Sequence, residues 1–235
     1  MDRLICFAHR GASGHAPENT LAAFKKAVDL GADWIELDVY AVDNELVVIH
    51  DNRLERTTSG NGYVCRSSLD YLRTLDAGGG EKIPFLREVF DLTGRRVKIN
   101  IELKGRGTAL PTCDLIEFYV KNKKWCYDDF LLSSFDHKQI RQAKDRCPEI
   151  RIAPNLNSNR VRYSDWDGRM APYSIHCDLA YATPALIERI HRRNCLAFVF
   201  TANRPEEIQK LAAMGVDGVF TNYPELITGK RIPKK

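Results

Sequence analysis

Three carboxylates and a lysine stand at alternate positions in two short strand-like segments of the sequence. They are Glu36 and Asp38 in the first segment and Glu102 and Lys104 in the second, each flanked by apolar residues. Because side chains alternate along a strand, the charged residues share one face and the apolar residues share the other. Clustered carboxylates repel, so they must protonate, pair with a cation or bind a metal. Without a cysteine at matching spacing, such a set suits Mg²⁺ or Ca²⁺ rather than zinc.

Two histidines stand where other strand-like segments end. His9 precedes Arg10, and Gly11 then permits a sharp turn of the backbone, while His50 precedes Asp51. A histidine and an arginine at the start of a loop can supply a proton-transfer group and a clamp for phosphate. A lone histidine is usually structural, but two at strand ends beside a carboxylate cluster favour an active site.

Two further polar residues each have two interpretations. Lys104 either neutralises Glu102 in a structural salt bridge or completes an anion site together with Arg10 and a metal. We favour the anion site because Arg10 and a metal would complete it. His176 lies inside a strand-like segment and is equally compatible with a structural role and with substrate contact.

Strand-like and helix-like segments alternate along the whole chain. The strand-like segments are residues 4–9, 34–39, 97–104, 130–134, 150–154, 174–178, 196–201 and 218–221. Helical spacing of apolar residues covers residues 19–30, 111–122, 136–146, 184–193 and 205–214. An antiparallel sheet with one solvated face would show the same alternation within a strand. Eight strands separated by helices predict an α/β fold of the (β/α)₈ TIM barrel type, which carries its active site at the carboxyl ends of the strands.

Two stretches interrupt this alternation. Residues 44–83 predict a short insertion after the second strand, a hairpin through residues 46–50 followed by glycine-rich loops. Residues 155–173 lack a clean helical pattern and predict an irregular fifth helix or, alternatively, a lid or part of a binding surface. Loops that follow barrel strands usually carry substrate specificity.

Length and composition are those of an ordinary soluble protein. The 235 residues suit one barrel domain over residues 1–235, and the net charge of +4 is too small to indicate nucleic-acid binding. No segment approaches the ~20 apolar residues of a membrane helix, so we expect no stable membrane insertion. Seven cysteines without a Cys-x-x-Cys pair predict reduced thiols and a cytoplasmic location. The oligomeric state is left open.

Taken together, these motifs resemble those of the glycerophosphodiester phosphodiesterase family. The matching segments are His9-Arg10-Gly11, Glu18-Asn19-Thr20, Glu36-Leu37-Asp38-Val39, His50-Asp51, Arg56-Thr57-Thr58, Glu102-Leu103-Lys104, Ser133-Ser134-Phe135, Thr201-Ala202-Asn203 and residues 218–224. They follow the order of the family and cover nearly the whole chain. Phe200 stands where members often have tryptophan, and Ala202 replaces the usual valine, which bears on substrate preference rather than on chemistry.

The resemblance implies a metal-dependent hydrolase that cleaves a small-molecule glycerophosphodiester to glycerol 3-phosphate and an alcohol, in lipid and glycerol metabolism. Its implied site comprises His9 and His50 as the acid/base pair, Glu36, Asp38 and Glu102 as ligands of Mg²⁺ or Ca²⁺, and Arg10 and Lys104 as phosphate-binding residues. Glu18 and Asp51 would support these residues from outside the site.

Two alternative functions remain open. A lysophospholipase D acting on lysolipids would share the barrel and the site. It would need an exposed apolar surface, for which Tyr163, Trp166 and Tyr173 are the candidates. A non-catalytic phosphodiester-binding barrel is less favoured, because binding alone needs no paired acid and base.

Overall fold

Eight parallel strands close into a barrel, and helices connect them on its outside. The computed structural model describes residues 3–158 and 170–230. The strands are β1 (Ile5–Ala8), β2 (Trp34–Val42), β3 (Glu45–Val48), β4 (Lys98–Leu103), β5 (Phe130–Ser134), β6 (Arg151–Leu156), β7 (Ser174–Asp178), β8 (Leu196–Phe200) and β9 (Gly218–Thr221). Strand β1 pairs in parallel with both β2 and β9, which closes the barrel, and β3 lies outside it. The predicted (β/α)₈ fold is confirmed, whereas a single domain over residues 1–235 stays a prediction.

The helices follow the predicted pattern with shifted ends. They are α1 (Leu21–Asp29), α2 (Leu69–Thr74), α3 (Leu86–Thr93), α4 (Ala109–Asn122), α5 (His137–Arg146), α6 (Pro184–His191), α7 (Pro205–Ala213) and α8 (Glu225–Thr228). The prediction missed α2, α3 and α8, of which α2 and α8 have only six and four residues, too few for a clear apolar period. Within the described ranges, none of the helices has the length and apolarity that a bilayer-crossing segment requires.

Helix α1 begins two residues later than its predicted start at Asn19. Thr20 caps it, because the Thr20 hydroxyl oxygen accepts a hydrogen bond from the backbone N–H of Ala23 at 3.2 Å. Asn19 instead turns its side chain toward β2, where the amide nitrogen donates to Asp38 Oδ2 at 2.9 Å. The residue that was expected to start the helix therefore supports a carboxylate of the predicted site.

The predicted insertion after the second strand is present. Strand β3 pairs antiparallel with β2, with Val48 opposite Val39, and a helical turn at Val64–Arg66 and helix α2 follow. This insertion has an apolar cluster of its own, formed by residues such as Leu54 and Leu72. The other interrupted stretch, residues 155–173, begins inside β6, but residues 159–169 lie outside the described part of the chain. The choice between a lid and a fifth helix therefore stays a prediction.

Aromatic side chains fill the amino-terminal half of the barrel interior. Phe7 stacks on Trp34 at a ring-centroid distance of 5.5 Å and on Phe220 at 4.5 Å, and it tilts against Phe198 at 4.7 Å. A second, larger apolar core lies between the strands and the surrounding helices. Because apolar residues occupy both regions, the polar strand residues are confined to the carboxyl end of the barrel.

Candidate active site

A cavity of about 180 Å³ opens at the carboxyl ends of the barrel strands. Six of the seven predicted site residues line it: His9, Arg10, Glu36, His50, Glu102 and Lys104. The seventh, Asp38, lies directly behind them and contacts both Arg10 and Lys104. The structure therefore brings all seven predicted residues together, as their positions at strand ends require.

The three carboxylates form a compact set of oxygen donors. One oxygen each of Glu36, Asp38 and Glu102 lies within 4.8 Å of the other two, and all three residues are buried. Asp38 and Glu102 are direct neighbours in the register of β2 and β4, and Glu36 lies two residues earlier on the same face of β2. Three hard oxygen donors at this separation fit a Mg²⁺ or Ca²⁺ ion, and within the described residues no other group of acidic, histidine or cysteine side chains does so.

The environment divides the three carboxyl groups into two kinds. Burial raises the pKa of Glu36 well above its usual value, and repulsion by Asp38 adds to this effect. The pKa of Glu102 is raised to about 7, chiefly by burial. Burial alone would also raise the pKa of Asp38, but nearby cations, Lys104 first among them, lower it. The cluster is therefore short of positive charge, which a divalent cation would supply.

Two cationic side chains border the carboxylates. Lys104 Nζ lies 2.5 Å from Glu102 Oε1 and 3.3 Å from Asp38 Oδ1, which agrees with the salt-bridge interpretation. Its ammonium group also lines the cavity, as the anion-site interpretation requires. Arg10 Nε lies 3.6 Å from Asp38 Oδ2, and its Nη1 donates to Glu18 Oε1 at 2.8 Å. Both interpretations of Lys104 are therefore compatible with its contacts.

The backbone after β1 turns sharply to place Arg10. Arg10 itself has φ of +56° and its N–H donates to Glu36 Oε2 at 2.9 Å, and Gly11 follows with φ of +79°. A Cβ atom on Gly11 would lie 2.7 Å from both the Cβ and the carbonyl carbon of Ala23 in α1. Glycine is required at position 11 because the turn needs a positive φ and because helix α1 packs against it.

His9 faces a neutral partner. Its Nδ1 lies 2.8 Å from the side-chain oxygen of Asn222, so Nδ1 carries the hydrogen and Nε2 keeps its lone pair. Burial lowers the pKa of His9 to about 4, and the charge of Arg10 acts in the same direction. The His9 ring is therefore neutral at pH 7.

His50 faces a charged partner. Its Nδ1 lies 2.6 Å from Asp51 Oδ1, which fixes the hydrogen on Nδ1 and leaves Nε2 available. Burial lowers the pKa of His50, while the negative charges of Asp38 and Asp51 oppose this lowering. Tyr40 donates its hydroxyl hydrogen to the carbonyl oxygen of His50 at 3.3 Å and anchors the strand end.

The glycerophosphoryl diester phosphodiesterase family model matches residues 9–226 of the chain, which includes all seven candidate site residues. The chain belongs to this family. A glycerophosphodiester phosphodiesterase from Caldanaerobacter subterraneus subsp. tengcongensis is 37% identical over 96% of each chain. One from Bacillus altitudinis is 35% identical and covers 93% of this chain and 94% of its own.

Solved structures of glycerophosphoryl diester phosphodiesterases and related enzymes share the fold. A phosphodiesterase from Oleispira antarctica, in complex with the product sn-glycerol-3-phosphate, has a TM-score of 0.86 and 30% identity over 97% of this chain and 96% of its own. A glycerophosphodiester phosphodiesterase from Agrobacterium tumefaciens has a TM-score of 0.79 and 26% identity, over 97% of this chain and all of its own. The resemblance found in the motifs is therefore confirmed at the level of the family.

Sequence reasoning missed several polar neighbours of this phosphodiesterase-family site. Asn222 holds His9, and Asn19 holds Asp38 with both ends of its amide. Deeper in the cavity lie Asn100, whose amide nitrogen donates to Ser133 Oγ at 3.0 Å, and Asn155. Asn100 gave a positional signal, because it stands two residues before Glu102 and so must share its strand face, whereas Asn19 and Asn222 stood in family-matching segments without an assigned role.

The structure also places the histidine left undecided by the sequence. His176 lines the cavity, and its Nε2 lies 3.1 Å from Ser174 Oγ on the same strand. Burial lowers its pKa to about 3, so the ring is neutral at pH 7. The side chain therefore adds a neutral polar group to the cavity wall.

Proposed function

We propose that the protein hydrolyses glycerophosphodiesters, such as glycerophosphocholine, to glycerol 3-phosphate and an alcohol. The observation that carries this proposal is the convergence of three carboxylates, two histidines and two cations on one cavity. The relative from Caldanaerobacter carries the name of this activity, and the Oleispira phosphodiesterase binds sn-glycerol-3-phosphate as its product. Both comparisons support the same substrate class.

In this proposal Glu36, Asp38 and Glu102 hold a divalent ion, Mg²⁺ or Ca²⁺. When all three carboxylates are ionised, as metal binding requires, they leave one negative charge against the two cations Arg10 and Lys104, and a divalent ion converts it into one positive charge. That charge matches the single negative charge of a phosphodiester. When bound, the ion would withdraw negative charge from the phosphate and increase the acidity of an adjacent hydroxyl.

The two histidines take different parts in the proton transfer. Neutral His9 accepts the proton of the nucleophile, a substrate hydroxyl or water, at Nε2, because Asn222 engages only Nδ1. We assign the donation of a proton from Nε2 to the leaving alcohol to His50, because Asp51 behind the ring opposes the lowering of the His50 pKa, whereas His9 has only the neutral Asn222 as its partner.

The cations hold and orient the phosphate. Arg10 presents a planar guanidinium whose Nε finds no hydrogen-bond partner among the described residues. Lys104 adds a point charge from the next strand but one around the barrel. Burial next to the carboxylates keeps the long Lys104 side chain close to the reacting phosphorus. Both residues therefore bind the diester without entering the proton transfer.

One assay tests this function. Purified protein, stripped of metal with a chelator, should release no glycerol 3-phosphate from glycerophosphocholine or glycerophosphoethanolamine until Mg²⁺ or Ca²⁺ is added. Glu36→Gln should abolish the response to metal, while Glu45→Gln is the matched control, because Glu45 pairs with Arg87 away from the cavity. Full activity without metal, verified by elemental analysis, would contradict the metal assignment.

A choline-release assay decides between this function and the lysolipid alternative, because both glycerophosphocholine and lysophosphatidylcholine release choline, whereas only the former releases glycerol 3-phosphate. Tyr163 and Trp166, two of the three aromatic residues expected to form an apolar surface, lie outside the described residues. Tyr173 precedes β7 and packs with the aromatic cluster at the amino end of the barrel, away from the cavity mouth, so this expectation was wrong for Tyr173. Faster release from lysophosphatidylcholine than from glycerophosphocholine would favour the alternative.

A further inference from the structure

A chain of charged hydrogen bonds runs along the rim of the site and joins two of its functional residues. It leads from Arg10 through Glu18, Arg56 and Asp51 to His50. Arg10 and His50 line the cavity, whereas Arg56 does not and instead lies in the insertion that follows β3. Arg56, in the middle of this series of hydrogen bonds, therefore reaches the cavity only through its neighbours.

Arg56 uses all three nitrogens of its guanidinium in this chain. Its Nε and Nη2 donate to the two oxygens of Asp51 at 2.6 and 2.9 Å. Its Nη1 and Nη2 donate to the two oxygens of Glu18 at 2.9 and 2.8 Å. Both carboxylates are thus bound in a bidentate manner by one planar cation, the strongest geometry that this pair of groups offers.

Each of the two carboxylates also contacts one residue that lines the cavity. The Asp51 oxygen that accepts from Arg56 Nη2 is also the oxygen that contacts His50 Nδ1. The Glu18 oxygen that accepts from Arg56 Nη2 also accepts from Arg10 Nη1. Arg56 therefore touches neither functional side chain and yet fixes the immediate partner of both.

We propose that Arg56 is a positioning residue that sets the orientation of the His50 ring and of the Arg10 guanidinium at the same time. The kinetic consequence rests on the proposed function, whereas the orientation of His50 does not. Without Arg56, Glu18 and Asp51 would lose the cation that they share and would repel each other. Glu18 would then bind Arg10 alone, and Asp51 would be free to turn away from His50.

The geometry explains why lysine cannot replace this arginine. A lysine ammonium is a single point charge and cannot donate along four directions in one plane. Arg56→Lys should keep one positive charge beside the two carboxylates but fail to align them. Arg56→Ala therefore removes both the charge and the donor geometry of the guanidinium, whereas Arg56→Lys removes only the donor geometry.

Steady-state kinetics give the first test. We expect Arg56→Ala to lower kcat for glycerophosphocholine by about 10- to 100-fold, and Arg56→Lys to recover only part of this loss. The matched control is Arg53→Ala in the same insertion, because Arg53 pairs with Glu55 and stacks on Tyr63 without joining the chain. Equal kcat values for Arg56→Ala and Arg53→Ala would overturn the proposal.

The second test needs no activity. Nitrogen-15 chemical shifts of the His50 ring, assigned with a His50→Gln variant, should report one tautomer with hydrogen on Nδ1 in the parent protein. In Arg56→Ala they should report a mixture of tautomers, while Arg53→Ala keeps the parent spectrum. An unchanged His50 tautomer in folded Arg56→Ala would overturn the proposal, even if the parent protein released no glycerol 3-phosphate and the proposed function had failed.

Discussion

Asp38 lies directly opposite Glu102 in the register of β2 and β4, and the ammonium of Lys104 contacts both carboxylates. Glu36, two residues earlier on β2, accepts a hydrogen bond from the backbone N–H of Arg10, and no lysine of the described residues forms an ion pair with it. The ionised forms of Glu36 and Asp38, both on β2, therefore differ in how much they destabilise the folded protein.

This difference predicts opposite effects of two neutral substitutions. In metal-free protein Glu36→Gln should leave the free energy of unfolding at pH 7 unchanged or raise it, because a repelling carboxyl group is removed. Asp38→Asn should lower it by about 1–3 kcal/mol, because Lys104 and Arg10 lose their partner. Denaturant unfolding in the presence of a chelator measures both values. A large loss in Glu36→Gln would support a purely structural salt-bridge role for the cluster.

Metal binding should appear as a rise in Tm of the parent protein when Mg²⁺ or Ca²⁺ is added, because an ion that binds only the folded state stabilises it. The rise should be much smaller in Glu36→Gln, Asp38→Asn and Glu102→Gln. Glu45→Gln should keep the full rise. A rise of equal size in the three site variants would remove the carboxylate cluster from the metal assignment.

The two histidines should act as a unit. His9→Gln and His50→Gln should each lower kcat by about 10²–10⁴-fold while keeping the rise of Tm with metal. The double variant should lose less than the product of the two single losses. Retention of most activity in His50→Gln would return His50 to a structural role at the strand end.

The contribution of Arg10 to kcat/KM should depend on the geometry of its guanidinium as well as on its charge. Arg10→Ala should lower kcat/KM by about 10- to 100-fold, because a charged hydrogen bond to the phosphate is lost. Arg10→Lys should restore only part of it, because the planar fork of donors is missing. Kinetics with glycerophosphocholine measure both, and near-parent values in Arg10→Ala would exclude a role in phosphate binding.

Buried His176 predicts a pH dependence of stability. Its pKa is about 3 in the folded protein, below the ordinary 6.5, so the unfolded state binds the proton more readily. The free energy of unfolding should therefore fall as pH decreases below 6.5, by about 2 kcal/mol between pH 7 and pH 4.5 from this residue. The loss over this range should be smaller in His176→Gln. An equal loss in both proteins would show that the ring does not titrate as its burial requires.

How far the site could be predicted depends on the kind of signal each residue gives. Glu36, Asp38 and Glu102 were found because charged residues alternating with apolar ones in a strand are conspicuous. Asn222 gave no such signal, because it lies 213 positions from His9 and an asparagine after a strand is common in turns. The roles of the seven site residues stay predictions until the variants are measured.

The prediction of the fold rested on the alternation of strand-like and helix-like segments. Two of the three helices that it missed, α2 and α8, are very short. All eight barrel strands were predicted within three residues at each end, because their apolar runs are long enough to show a period of two. Helix α2 has six residues and lies inside an insertion with its own small core, so no apolar stripe faces the barrel. Asn19 was taken for the start of a helix because polar capping residues and residues that support a site look alike in sequence.

Phe220 lines the candidate cavity and stacks on Phe7, which in turn stacks on Trp34, so packed aromatic rings occupy the barrel interior on that side of the cavity. Under the proposed reaction, a product that remains in the cavity excludes the next substrate. Under the proposed reaction, glycerol 3-phosphate should therefore inhibit competitively. Turnover should be limited by how quickly the pocket empties whenever this product accumulates.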